Sequence, residues 1–165
     1  MSKTNIGYNG KVTVRYEKNG RSYTEVLHNE GKPALFETLA TLLSNGGFPY
    51  GSPSYISLYK KSSGGVETSL LNQEILPLIT KPSPKKGADG KWCSAVTARI
   101  RNADLNSTTI GDGDTVLLYL RTNSSENTRL ASVTIAESML PSSQGTSTVI
   151  EWDLFFENAP TTTTT

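Results

Sequence analysis

Side chains able to run acid–base or nucleophilic chemistry are scarce in this 165-residue chain. Its one histidine, His28, stands between Leu27 and Asn29, so any Ser-His-Asp or Cys-His arrangement must use it. No nucleophile motif lies nearby, and a histidine satisfied by backbone between a strand and a helix is the expectation. The one cysteine, Cys93, follows Trp92 inside an alternating run. There a thiol acts as a small buried or half-buried apolar group, without the electropositive niche a reactive thiolate needs. "GDGD" over 111–114, with Asp104 upstream, offers carboxylate oxygens of the kind calcium accepts, but it lacks the further ligand positions and closing glutamate of an EF-hand. A solvated turn between strands is expected instead. Glu151 and Asp153 share one face of a strand, as a glycosidase carboxylate pair might, with no facing cleft indicated. One His and one Cys allow no metal-type spacing, so neither catalysis nor a cofactor is expected.

The aromatic residues suggest binding. Phe48, Tyr50, Tyr55 and Tyr59 gather around the Gly/Pro-rich stretch "GFPYGSPSYISLY". Exposed, such rings stack on sugars or anchor a protein partner; buried, they complete a core beneath a long loop. They are the candidate contacts for a partner or a glycan. Gly64 and Gly65 lack the strand-to-helix context of a phosphate loop.

The composition sets the kind of scaffold that must carry these residues. Apolar residues make up 35% and charged residues 19%, with a net charge of +1 from 16 basic and 15 acidic side chains. Ser, Thr, Asn and Gly fill the balance, which favours strands joined by polar turns. A near-neutral chain has no field to attract nucleic acid or anionic lipid. No stretch approaches the roughly 20 apolar residues of a membrane span or forms a secretory leader, so synthesis and folding in a cytoplasm are expected.

Strand periodicity dominates. "KVTVRYE" places Val12, Val14 and Tyr16 on one face, and Asn19-Gly20 marks a hairpin returning through "SYTEVL". "YISLYK", "WCSAVTARIR", "TVLLYLR", "LASVTI" and "VIEWDLFFEN" read as further strands, the last with Ile150, Trp152, Leu154 and Phe156 on one face. Pro77 makes residues 74–80 an edge segment or an extended connection. "KSSGGVETS" and "KPSPKKGADGK" read as loops. About seven or eight strands suit a two-layer antiparallel β-sandwich over 11–158, preceded by an arm over 1–10 and followed by a flexible Thr-rich tail over 159–165.

One segment departs from this pattern. In "HNEGKPALFETLATLLSNGG", Leu35, Phe36, Leu39, Leu42 and Leu43 fall within an arc of about 120° at helical spacing, which predicts an amphipathic helix over 33–44. Pro33 suits its first turn, and Asn45-Gly46-Gly47 offers left-handed residues to stop it. Its N-cap is unassigned: Lys32 is a poor cap and Asn29 lies a turn early. A dozen helical residues do not hold alone, so those five side chains should form a core face packed on the sandwich.

The order of these pieces resembles the small virion structural proteins of tailed bacteriophages, particularly those of gut bacteria. In such chains an Asn-x-Gly segment leads into a Leu-Phe helix, a Pro-x-Tyr-Ile strand follows, and an acidic-aromatic strand closes the fold. The matching positions are Asn29, Gly31, Leu35, Phe36, Pro53, Tyr55, Ile56, Glu151, Trp152, Phe156 and Asn158, within a span from about Lys11 to Asn158. The chain departs at Leu118, where such proteins tend to carry glycine, and in its loops. The resemblance implies a non-enzymatic component of a tail, baseplate or fibre, or a capsid decoration or head-fibre component. It would be made in the bacterial cytoplasm and located in the virion, with copies of itself and other virion proteins as partners. The alternative is a carbohydrate-binding module that uses the tyrosines to attach to a host-surface glycan.

Overall fold

In the computed structural model, which describes residues 6–37, 40, 52–87, 90–122 and 129–158, the N-terminal hairpin forms where its turn chemistry places it. Asn19 (φ 52°) and Gly20 (φ 73°) both take left-handed backbone, which matches a two-residue turn to the strand twist. The turn joins β1 (Ile6–Lys18) to β2 (Arg21–His28) with Lys18 opposite Arg21. The chain then runs through β3 (Glu30–Gly31), a helical segment at 33–37 and 40, β4 (Pro53–Lys61), β5 (Glu67–Ser69), β6 (Leu76–Pro77) and β7 (Thr80–Lys86). It finishes with β8 (Trp92–Arg101), β9 (Thr115–Thr122), β10 (Arg129–Ile135) and β11 (Ser147–Asn158).

These strands form two antiparallel sheets. The first has the order β2-β1-β11-β8-β7; the second has β3-β10-β9-β4-β5, with β6 also paired to β4. The central strands turn alternate side chains inward, and the inner faces meet in one apolar cluster. Val12, Val14, Ala98, Ile100, Ile150 and Trp152 come from the first sheet, and Ile56, Leu58, Leu118, Leu120, Ala131 and Val133 from the second. Fully burying each large member stabilises the fold by roughly 1.5–3 kcal/mol, an upper value because the unfolded chain already hides some of that surface. The mainly β two-layer sandwich with one short helix is therefore the observed fold. Leu118, the departure from the resembling pattern, is fully buried in its core.

Several boundaries differ from expectation. β1 begins at Ile6, inside the expected arm, because residues 6–10 continue the ladder with β11, Ile6 lying opposite Asn158. "KPSPKK", expected as loop, is the edge strand β7. An edge strand bonds on one side only, so Pro82 and Pro84 are tolerated there, at the cost of a register shift between Thr80 and Ser83. Glu67–Ser69, inside another expected loop, pairs with β4. Leu76–Pro77 settles the open reading of residues 74–80 as a short edge pairing. The strand count accordingly exceeds seven or eight.

The helical segment starts where the Lys32 N–H donates to the carbonyl of Leu130, near the start of β10, at 2.8 Å. Leu35 is buried, but it lies outside the inter-sheet cluster. Phe36, expected on the core face, is 45% exposed. Consecutive helical residues point 100° apart, so a strip that buries Leu35 leaves Phe36 at its rim. Leu39, Leu42 and Leu43 lie outside the described residues, as does the tail over 159–165.

Candidate functional site: the outer face of the second sheet

The alternation that buries Val116, Leu118 and Leu120 turns Leu117, Tyr119 and Arg121 to the opposite face of β9. In β4 the burial of Ile56 and Leu58 does the same for Tyr55, Ser57 and Tyr59. Strand pairing sets Tyr59 opposite Leu117, Ser57 opposite Tyr119 and Tyr55 opposite Arg121. Across the other side of β9, Arg129 lies opposite Arg121, and a register shift follows it.

These residues lock together. The Arg129 guanidinium lies 4.0 Å from the Tyr119 ring centre and 4.9 Å from that of Tyr59, while the two rings meet edge to face at 5.9 Å. Arg129 Nη1 reaches Glu67 Oε2 at 2.8 Å, and the Tyr119 hydroxyl donates to the other carboxylate oxygen. Arg121 Nη1 donates to the Tyr59 hydroxyl at 3.4 Å and lies 3.7 Å from Glu74 Oε1. Tyr119 and Arg121 are each only 5% exposed although they face away from the core. Ser57, beneath them, is fully buried, and its hydroxyl has no hydrogen-bond partner among the described residues.

The electrostatics show what this clasp does. Burial, reinforced by the bond to Glu67, pushes the Tyr119 phenol up to about 12. Burial alone would raise Glu67, but bonds from Tyr119 and Arg129 and the charges of Arg129 and Lys61 outweigh it and hold the carboxyl below its ordinary value. A carboxylate held ionised and a phenol held neutral exchange no proton near neutral pH. The cluster is a fixed platform.

Beside it, on the same face, lies a groove of about 320 Å³. Tyr119 and Ser132 belong to its floor, and Lys61, Lys32, Glu30 and His28 to its walls. Glu30 and Lys32 pair at 3.2 Å, so one wall is already charge-compensated.

The residues singled out in the sequence fall in different places. Tyr55 and Tyr59 are half-buried on β4, the strand expected from "YISLYK", and Tyr59 belongs to the clasp. Phe48 and Tyr50 lie outside the described residues. His28 is exposed at the end of β2 and reaches the groove rim. Cys93 is half-buried on β8 opposite Lys85. Asp114 accepts the Gly111 N–H at 2.9 Å and lies 3.7 Å from Lys60 Nζ, across a turn whose Gly113 has φ 82°. Asp104 is held instead by Arg101, through its backbone N–H at 2.8 Å and its guanidinium at 2.9 Å. The two aspartates therefore do not converge, and no group of three metal-type ligands occurs among the described residues. Glu151 is paired to Arg15 at 2.7 Å and Lys85 at 3.4 Å on the outer face of the first sheet.

Glu67, Tyr119, Arg121 and Arg129 were not singled out from sequence. The alternation in "TVLLYLR" marks Tyr119 and Arg121 as outward-facing, but their meeting with Tyr59 depends on β4 and β9 being neighbours. No known protein-family model, curated protein or solved structure matches the chain at a significant level. No helix among the described residues is long and apolar enough to cross a membrane.

Proposed function

We propose that this chain is a non-enzymatic structural protein of a tailed bacteriophage, which self-associates and docks on the particle. Its place is in the tail, baseplate or fibre apparatus, or on the head as a decoration or fibre component. The observation that carries the reading is where the phage-like residues fall: they are architectural. Ile56 and Trp152 are fully buried in the inter-sheet core, Asn29 and Gly31 take the chain from one sheet to the other, and Glu151 organises ion pairs on an outer face. Such residues preserve a sandwich, while loops and edges remain open to change with each docking partner. Mass spectrometry of purified particles tests the proposal. Peptides of this chain should copurify with intact virions, and their absence from particles that retain all other structural proteins would refute it.

The groove, lined by Tyr119, whose ring meets Tyr59 edge to face, favours a second reading, a module that binds a host-surface glycan on this face, which also carries Tyr55. A glycan array run with the wild-type chain and with Tyr55→Ala decides it. Sugar binding that the substitution abolishes supports the module, and an array without binding removes it.

A further inference from the structure

The edges of the two sheets are unequally protected. In the second sheet the edge strands β3 and β5 have two and three residues, too short to template another chain. In the first sheet β7 carries Pro82, Pro84, Lys85 and Lys86 and a register shift, all of which discourage further pairing. The other edge, β2, has eight residues, unbroken register, and neither proline nor lysine. Residues 21–26 are all exposed, so nothing among the described residues covers them.

Its backbone groups can be assigned. The two-residue turn makes Lys18 and Arg21 a hydrogen-bonded pair, and pairs then alternate through Tyr16–Tyr23 and Val14–Glu25. The bond from the Asn29 N–H to the Gly10 carbonyl, at 3.1 Å, continues the same parity. Arg21, Tyr23 and Glu25 therefore bond to β1, while Ser22, Thr24 and Val26 direct their N–H and C=O groups outward.

We infer that β2 is the self-association edge, pairing antiparallel with β2 of a second copy about a two-fold axis through Tyr23; this rests on the self-association part of the proposed function. About that axis Ser22 and Thr24 exchange backbone bonds with Thr24 and Ser22 of the second copy. Arg21 faces Glu25 of the second copy, twice, and Arg21 makes no ion pair among the described residues of its own chain. Tyr23 already stacks on Tyr16 at 5.4 Å, so two Tyr23 rings meeting at the axis create a run of four aromatic rings. An axis through Glu25 would oppose two carboxylates. Axes nearer His28 would drive the second copy into the crossing to β3. The result is a continuous ten-stranded sheet.

Sedimentation of the full chain across a concentration range tests this. The wild type should form a dimer, Thr24→Pro should abolish it, and Arg21→Glu should weaken it roughly tenfold. Thr24→Pro removes an outward N–H and leaves the β1 ladder intact. The double change Arg21→Glu/Glu25→Arg should restore the dimer. Should loss of the 2.7 Å bond from the Tyr16 hydroxyl unfold chains with Glu25→Arg, Glu25→Gln keeps an acceptor and should weaken the dimer as Arg21→Glu does. A wild type that stays monomeric at every concentration overturns both this inference and the self-association reading. Association that Thr24→Pro leaves unchanged overturns the β2 edge alone. Sensitivity to Thr24→Pro without rescue by the folded charge swap overturns the Tyr23 axis. Protection of β2 amides from exchange only when a different protein is added gives the edge to that partner and overturns the pairing.

Discussion

The outer faces of the two sheets carry similar chemistry in different surroundings. On the first, Arg15 and Lys85 flank Glu151 with side chains 52%, 49% and 28% exposed, open to water and salt. On the second, Arg129, Glu67, Tyr119 and Arg121 repeat the pairing of cation with carboxylate, but two tyrosine rings surround the guanidinium and the face is largely covered. Burial decides how much each arrangement contributes. Exposed ion pairs add about 0–1 kcal/mol, whereas packing against aromatic rings adds buried area and fixes geometry.

Substitutions on the covered face should have the larger effects. Tyr119→Ala removes a buried ring together with the support of Arg129 and Glu67, and should cost about 3 kcal/mol in urea unfolding. A loss no greater than that of a surface substitution would mean the second face is not packed. Arg129→Ala should cost about 1–2 kcal/mol by the same measurement, discounted because its side chain is 36% exposed. A double-mutant cycle of Arg129→Ala with Glu67→Gln should be non-additive.

The acid and alkaline limits sharpen the contrast. Glu67 lies below its ordinary 4.5 in the fold, so the unfolded chain binds more protons between the two values. Its contribution is present above pH 4.5 and is lost as pH falls through the lower folded value. Glu67→Gln should flatten that acid slope in part only, since Asp104 and Glu151 are lowered too. Tyr119 behaves in the opposite sense: its contribution is complete below pH 10 and is lost as pH rises toward about 12. Tyr119→Phe should reduce the alkaline slope, and ultraviolet titration should show one fewer late-ionising phenol. The smallest effect belongs to the open face. Glu151→Gln should change stability by about 0.5 kcal/mol or less, a difference that moderate salt should erase.

The sandwich was legible wherever period-two alternation coincided with strong turn chemistry. Val12, Val14 and Tyr16 around Asn19-Gly20, and Ile150 and Trp152 near the C-terminal end, are buried as their spacing requires. β7 was not legible, because its sequence reads as a polar proline loop and only the neighbouring β8 makes it a strand. Phe36 misled for a related reason, since helical spacing gives an arc but not its rim. The platform was half legible. Tyr55 and Tyr59 drew attention as aromatics, whereas Glu67, Arg121 and Arg129 are ordinary surface types until strand order brings them together.

The insertion of β11 between β1 and β8 also has a kinetic meaning. β11 leaves the ribosome after β1 to β10, and until it does the halves of the first sheet have no ladder between them and Trp152 is missing from the core. Pairing partners so distant in sequence carry a large loop-closure entropy and are slow to meet. Folding should therefore be a late, all-or-none collapse that waits for β11 rather than a gradual build-up.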